Sequence, residues 1–584
     1  MTSVHLPQLH ILIVTLAIFV SGTGIVNAQT DAPATRLLLP RVNTLSAAPA
    51  RQPITATTSQ MLAAWASDTG PLASLPHPAV APVIPPIGQI EWWVAPTSTP
   101  LRHASHTIPV DLMMLFSLTV QHSARVQAVA QTPWISGTQI EQARGVYDPL
   151  IYSDSDLNST SDPVENTLTT GGPPRLEDEL LGTEAGLRGQ TESGGSYGFG
   201  QSIGHKNSNS TFFLPNNQGS AGLFANWSQP LLQGRHIDAN RSLILTAQFD
   251  TAAAQAKYTD AILTQLFDVA NAYWSLYVER ANLLIRQRHL DRAQRIAEQL
   301  KHRQSLDSVR SQVLRAQAAV ANRRAELSLA EANIKNQESR LRSLVNAPSF
   351  SESGQAELLP TQPAVIVPVD FNIESEVAVA IQRRPEILEL HELVNATQVR
   401  LNLAQDQTRP QLNLVLQGQL AGRQGSSDIA GAWANQFTDG RPGFGGGLQY
   451  LLPYRNRTAH SLVRQRQYEL TQLTMLIREK TGNIRAEVEI SIRNLRASHA
   501  AAISRRESLA AVQAEIKYLE DRWQLLGNDP RLGQLQLDDL LNGQDRLLRE
   551  ELALLQSITQ YNRSLIEVQR ATGALVSFSH PGGN

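Results

Sequence analysis

No cysteine occurs among the 584 residues of this chain, which excludes disulfides, thiolate catalysis, cysteine-ligated metal and a lipid anchor on an N-terminal cysteine. Export to an oxidising compartment would be harmless. Blocks of like charge are also missing: the formal net charge is -2 and there is no long Lys/Arg run, so the electrostatic footprint of a nucleic-acid binder is absent. Beyond the N-terminus no stretch approaches the roughly 18 apolar residues that a spanning helix needs. If the chain crosses a membrane, it must do so with β-strands. Between Pro230 and Pro348 there is no proline and a single glycine, Gly234. That stretch is long enough for two helices of about 60 and 40 residues, the first reaching about 90 Å at about 1.5 Å per residue. A helix of that length must pack lengthwise against others, and its reversal is expected near Gln304 to Ser308.

What is present is a duplication. The segments "SQVLRAQAAVANRRAEL" (311–327) and "LDDLLNGQDRLLREELALL" (537–555) carry related patterns at an offset of 227, so that Gln317 matches Gln544, and Asn346 matches Gly573 where helical patterning ends. The same offset relates two heptad ladders: Leu306, Val313, Val320, Leu327, Ile334, Leu341, and Leu540, Leu547, Leu554, Tyr561, Val568, Leu575. Apolar residues in heptads argue for coiled-coil packing. Before the turn, Val269, Leu276 and Ala281 match Val488, Leu495 and Ala500 at an offset of 219. Eight residues have therefore been added at the second turn, where "LLGNDPRLGQLQ" supplies glycine and proline.

The N-terminus, "LHILIVTLAIFVSGTGIVNAQT", has an apolar core from Leu9 to Val20 followed by Val26-Asn27-Ala28. This resembles a signal peptide cleaved after Ala28, although its leading region holds His5 and His10 and no Lys or Arg; an uncleaved anchor is the alternative. Residues 29–108 are rich in Pro, Ala, Thr and Ser and read as a disordered linker. Helical patterning covers 109–131, and a shorter helix fits "SGTQIEQARG". From 153 to 222 the chain is polar and Gly-rich, with Tyr197, Phe199 and Ile203 alternating against Ser196, Gly198, Gly200 and Ser202, which reads as strand. The first strand is ambiguous: "YDPLIYS" (147–153) sits where the Pro410 strand sits in the second half, whereas 195–204 alternates better and would make 155–194 an insertion.

In "PQLNLVLQGQL", Leu412, Leu414, Leu416 and Leu420 fall on one face, and Gln411, Asn413, Gln417 and Gln419 on the other. Apolar outside and polar inside is the pattern of a transmembrane barrel strand. Phe444, Leu448, Tyr450 and Leu452 continue it in the next strand, and Trp227 and Tyr450 suit an interfacial aromatic girdle. A soluble sheet with one buried face alternates in the same way.

Helix, strand, loop, strand and long helical hairpin occur twice. With "RRPEI" (383–387), "RPQLNL" (409–414), "SQPLLQG" (228–234) and the closing "RATGAL" (570–575) in order, residues 109–577 resemble the TolC family of outer-membrane efflux proteins. The resemblance implies a mainly α chain whose duplicated hairpins form an α-barrel tunnel, joined to a trimeric 12-strand β-barrel with four strands from each chain. The domains are then a signal peptide (1–28), the linker (29–108), a first repeat (109–347), an inter-repeat linker (348–368), a second repeat (369–577) and a C-terminal tail (578–584). It further implies a homotrimer in outer-membrane lipid, with a periplasmic extension that meets a periplasmic adaptor and an inner-membrane pump. The family's hairpin turns often read Arg, a few residues, Gly, then Asp-Val-Leu-x-Ala. The second turn keeps Arg522, Gly527 and Asp539-Leu540-Leu541 with Gly543 in place of Ala; the first keeps Val313-Leu314 and Ala316, with Gln312 for the Asp and Leu306 near the place of the Gly. Arg522, Gly527, Leu306 and Val313 become candidate adaptor contacts. Asp529, Asp538 and Asp539 become candidate gate residues, three copies of each forming a carboxylate ring that selects cations. The plainer account is that Asp538 and Asp539 begin a helix, where carboxylates favour the dipole.

Two other motifs carry little. "GGSYG" (194–198) matches a nucleophile elbow but lacks a strand before Ser196 and a helix after it. His103 and His106 lie in a Pro-rich stretch without a third ligand. With no cofactor motif and no credible nucleophile, base and metal set, the expected role is a passive export duct. The alternative is a periplasmic adaptor or coiled-coil scaffold, which typically carries one helical hairpin where this chain has two.

Overall fold

The computed structural model describes residues 91–101, 106–168, 170–235, 239–303, 310–352, 356–526 and 533–575. The expected signal peptide, linker residues 29–90 and 102–105, and the tail lie outside the described residues. In chain order the elements begin with α1 (Val94–Thr97), β1 (Thr107–Val110), α2 (Leu112–His122) and α3 (Ala124–Arg144). Four strands follow, β2 (Leu150–Pro163), β3 (Arg175–Gln190), β4 (Ser196–Ser208) and β5 (Asn217–Pro230), then the first hairpin, α4 (Ala239–Arg303) and α5 (Arg310–Val345). After α6 (Pro348–Glu352) and β6 (Glu357–Pro360), the second half runs through α7 (Ile373–Arg383), α8 (Pro385–Asp406), β7 (Gln411–Gly425), α9 (Ile429–Thr438) and β8 (Gly443–Leu451). It closes with the second hairpin, α10 (Arg457–Leu526) and α11 (Gly533–Ala571).

The four long helices hold 65, 36, 70 and 39 residues. Their ladders face inward: Val313, Ile334 and Leu341 of α5 are buried, as are Leu540, Leu547, Leu554, Tyr561 and Val568 of α11. One core joins Leu266, Val269, Tyr273 and Leu276 of α4 to Ile334 and Leu341 of α5 and to Leu554 and Ile558 of α11. Helix patterning stops where the duplication places its matched pair, and both residues take left-handed backbone, Asn346 with φ 53° and Gly573 with φ 73°. Asn and Gly tolerate that conformation at a helix end better than other residues do.

The eight extra residues of the second hairpin lengthen its arms. By the offsets, Arg303 and Arg310, which bound the first turn, match Arg522 and Leu537. Yet α10 runs on to Leu526 and α11 already begins at Gly533. Each arm has gained about one helical turn, at about 3.6 residues per turn.

Two stretches read as linker are ordered. Residues 91–101 pack on the helices: Arg506 pairs with Glu91 at 2.9 Å, Trp92 donates to Glu551 Oε1 at 3.2 Å, and Trp93 is fully buried. Strand β1 pairs in parallel with β6 of the inter-repeat segment, from Thr107 opposite Glu357 to Val110 opposite Pro360. Composition misled here because the order comes from partners distant in sequence. The decisive one is Arg280 of α4, which has no exposed surface. Its guanidinium donates to the carbonyls of Thr97 (2.9 Å) and Thr99 (2.6 Å) and to Glu357 Oε1 (2.6 Å).

The "RRPEI" motif has a comparable structural account. Pro385 opens α8 at a position where its missing N–H costs nothing. Arg384 just before it donates to Glu386 (2.7 Å), to Glu487 of α10 (3.0 Å) and to the last carbonyls of α11 at Arg570 and Ala571. One buried fork thus ties α8 to both arms of the second hairpin. Arg384→Ala should destabilise the protein by about 3 kcal/mol, the low end for a broken buried pair, because Glu487 is partly exposed. Lysine cannot reproduce the fork, so Arg384→Lys should recover only part of the loss. Thermal unfolding checks this, and an alanine variant that melts like the wild type would exclude the tie.

Candidate functional site

Strands β2, β3, β4, β5, β7 and β8 form one antiparallel sheet in that order. The chain therefore contributes six strands among the described residues, two more than the expected four, because the first repeat supplies four. Residues 150–163 and 196–208 are both strands, and the expected insertion at 155–194 holds the rest of β2 together with β3. The link between β3 and β4 is a tight turn, with Gly194 at φ 81°. It lies at the end of the sheet where β5 leaves for the first hairpin, since Gln190 pairs with Ser196 and Ser196 with Ser228. The longer connections, 164–174, 209–216 and 426–442, all lie at the opposite end. Short turns at one end and long loops at the other are the habit of outer-membrane barrels.

Register sorts the side chains into two faces, since directly opposed residues point the same way. Leu412 faces Tyr450, Leu414 faces Leu448 and Gly418 faces Phe444; Leu416 faces Trp227, which faces Tyr197. All seven residues read as lipid-facing (Trp227, Leu412, Leu414, Leu416, Phe444, Leu448, Tyr450) share one face. Phe199, Leu187 and Ile151 continue it to the far edge, and Phe444 is 93% exposed. On this face no Asp, Glu, Lys or Arg occurs along Ile151–Leu157, Leu181–Gly189, Tyr197–His205, Gly219–Trp227 or Leu412–Gln424. The other face carries Asp154, Asp156, Glu184, Arg188, Lys206, Asn413, Gln417, Gln419 and Arg423. There Tyr152 donates to Glu184 (2.5 Å) beneath the Arg188 guanidinium, and Lys206 pairs with Asp178 at 2.9 Å. A concavity of about 480 Å³ opens on this polar face, lined by Tyr152, Glu184, Arg188, Phe224, Asn226 and Ser228. Among the described residues no helix is long and apolar enough to cross a membrane.

At the hairpin end the candidates separate. Leu306, Gly527 and Asp529 lie outside the described residues. Val313 is buried with Ile296, Leu300, Ala316, Trp523, Leu537 and Leu540, so it knits the four helix ends together and offers no surface. Arg522, Asp538 and Asp539 are half-buried, and Asp538 is engaged by Arg315 of α5. Gly543 lets α10 and α11 approach closely, for a Cβ there would stand 2.8 Å from a Leu519 methyl and 2.9 Å from an Ile516 methyl. Sequence reasoning missed the polar seam above this cluster. Arg323 of α5 donates to Gln544 (2.9 Å) and pairs with Asp545 (2.9 Å) of α11, and Asp545 also meets His289 of α4 at 3.3 Å. These partners belong to the two matched segments, which therefore touch one another; heptad spacing marks their apolar stripes and is silent on the charges between them. Burial, aided by Arg323, holds His289 below its ordinary value against the pull of Asp545. The His289 hydrogen bond, with Arg323, holds Asp545 below its own.

Ser196 begins β4, so "GGSYG" is turn and strand. His103 lies outside the described residues, and among those described no group of His, Asp and Glu is placed to hold a metal.

Residues 196–347 match the family profile described as outer membrane efflux protein. The match covers about a quarter of the chain and relates that segment, β4 through the first hairpin, to the outer membrane efflux protein family. No curated protein sequence matches the chain. Solved structures similar to this chain include the outer membrane protein VceC of Vibrio cholerae, at 17% identity and a TM-score of 0.56 over 79% of this chain and 96% of that one. The CmeC outer membrane channel of Campylobacter jejuni matches at 13% identity and 0.56, over 79% and 85%. The open-state MtrE outer membrane channel of Neisseria gonorrhoeae matches at 16% and 0.55, over 80% and 89%. At such identities the likeness is one of fold: long helical hairpins joined to an antiparallel sheet. The proteins it resembles are channels.

Leu414→Arg should impair outer-membrane assembly, at a cost that rises from about 1 kcal/mol for a charge near the interface to about 2 to 4 kcal/mol at the bilayer midplane. Asn413→Arg, on the polar face, should be tolerated. Equal assembly of the two variants in membrane fractions would reverse the facing of β7.

The His289 seam should respond to pH. Because its value is lowered on folding, the folded state takes up a proton less readily than the unfolded chain. The stability it lends is complete above the unfolded value near 6.5 and declines as pH falls below it. Amide protection factors along α4 around His289, corrected for the intrinsic pH dependence of exchange, should therefore fall between about pH 6.5 and 5, and His289→Asn should flatten that response. Equal pH responses in both proteins would remove His289 as the cause.

Proposed function

We propose that this chain is the outer-membrane channel of a tripartite efflux or type I secretion system, a passive duct that an adaptor and an inner-membrane pump open from the periplasmic side. The observation that carries this reading is the sheet: one face free of charge over its central band and rich in exposed aromatics, the other polar, running directly into two long hairpins. Strands β2 and β8 are its edges, and an open edge cannot stand in lipid, so copies of the chain must close it; a homotrimer is the closure we favour. A single-hairpin periplasmic adaptor has no use for the uncharged face. Energy then comes from the pump, and the channel contributes a polar path and a gate.

At the periplasmic mouth we assign adaptor contact to Arg522 and Gly527, with Leu306 at the first turn. The buried Val313 gives way to its exposed neighbours Leu314, Leu525 and Leu535. Among the gate carboxylates Asp538 is partly compensated by Arg315, so cation preference rests chiefly on Asp539 and Asp529. In planar bilayers the purified protein should conduct as a heat-dissociable trimer. Asp539→Asn should lower its cation preference, and Asp538→Asn should lower it further by releasing Arg315. A water-soluble, non-conducting protein would favour the adaptor reading; a conducting trimer with unchanged selectivity would move the gate elsewhere.

A further inference from the structure

Helix α9, in the loop between β7 and β8, is built inside out for a water-exposed helix. From Ile429 to Thr438 it holds no charged residue. Its polar side chains turn toward the sheet. Gln436, fully buried, exchanges amide hydrogen bonds with Gln201 of β4 at 3.3 Å, and Asn435 donates to Gln424 of β7 at 2.8 Å. Its outward residues are Ala430, Trp433, Ala434 and Phe437, one stripe at helical spacing. Trp433 is 51% and Phe437 52% exposed, their rings 5.2 Å apart edge to face. The seat beneath is built for close approach. A Cβ on Gly422 would stand 2.1 Å from the Ala432 carbonyl oxygen, and one on Gly219 would stand 2.6 Å from Asp428 backbone; Ala221 between them is buried. Asp428 caps the helix by accepting from the Gly431 N–H at 2.8 Å.

The register fixes which face this is. Gly219, Ala221 and Gly422 alternate with the residues of the polar face and share a side with Leu223, Leu420, Trp227 and Leu416. The helix therefore lies on the uncharged face, at the end of the sheet that bears the long loops. Its seat spans β4, β5 and β7, so Gln201, Gly219 and Ala221 lie inward of the edge strand β8.

We infer that α9 lies in the outer-leaflet interface of the membrane, with its Trp433–Phe437 edge among lipid acyl chains. The inference rests on the channel reading above. In lipid, every polar group must be satisfied from within the protein, which is what the Gln436–Gln201 and Asn435–Gln424 bonds do, while aromatic side chains favour the interfacial level. The occupant is lipid, because the stripe continues the Leu412–Leu420 band and offers a partner protein no charge and no free polar group along its outward edge.

The cysteine-free chain allows single spin labels on the full-length protein at Ala434→Cys, with Phe444→Cys in the apolar band and Gln419→Cys on the polar face as references. Collisions with oxygen and with a water-soluble nickel chelate are compared in phosphatidylethanolamine–phosphatidylglycerol vesicles. The label at position 434 should collide freely with oxygen and lose most of the nickel collisions seen at 419. Nickel access at 434 with position 444 shielded overturns the inference and leaves the channel reading standing. Nickel access at both positions overturns the two together. Shielding from both reagents at 434 places protein, not lipid, on the stripe and also overturns the inference.

Discussion

A buried charge holds the middle of this molecule together. Arg280 and Glu357 both have no exposed side-chain surface. An ion brought out of water carries a desolvation cost of several kcal/mol, tolerable only if every donor finds a partner. Arg280 of α4 meets that condition with one carboxylate from β6 and two backbone carbonyls from the segment before β1, so three separate stretches of chain meet there. Glu357 in turn accepts from the Leu101 N–H at 3.0 Å. Each stretch needs the others in place, so the pair converts two Pro-rich connectors into a collar around the helices. Trp93, packed into the same core, closes the site against water and preserves the low dielectric in which such a pair is strong.

The helical part was legible because its burial follows a period. Residues at heptad spacing in the two ladders are buried or half-buried from Val313 onward, and the matched ends Asn346 and Gly573 both take the backbone that stops a helix. The apolar face of β7 was legible for the same reason at period two. Strand β2 was not, because its residues on the apolar face are Ser153 and Ser155 between Ile151 and Leu157, with Ser159 beyond, too polar to show alternation. In β3 the adjacent Leu180 and Leu181 point to opposite faces and blur it. Helix α9 was hidden inside what reads as a polar loop, since its Asn and Gln side chains suggest solvent until the sheet that receives them is known. The collar escaped because its order depends on an arginine far along the chain.

The hairpin end divides its labour between apolar and charged contacts. The cluster around Trp523 and Leu537 is continuous through all four helix ends and belongs to packing. Above it, Arg315 and Arg323 reach from the first hairpin to Asp538 and Asp545 on the returning arm of the second. Charge-assisted bonds between separate helices are directional and can be exchanged for water at modest cost where they are exposed, unlike a buried methyl. The two hairpins can therefore shift along these ties while each keeps its own apolar core.

The six-strand sheet changes where a duct of this design resists flow. Strands sit about 4.8 Å apart, and barrel diameter grows roughly in proportion to strand number. If three copies close the barrel as proposed, three sheets of six strands would enclose a bore about half as wide again as three sheets of four, with roughly double the cross-section. The extra pair, β3 and β4, has no counterpart in the second half and adds no helix, so the hairpin bundle below does not widen in step. In a conduit of segments in series the narrowest one sets the total resistance. In the proposed duct the sheet would then be the low-resistance segment, and selection would fall to the helical mouth.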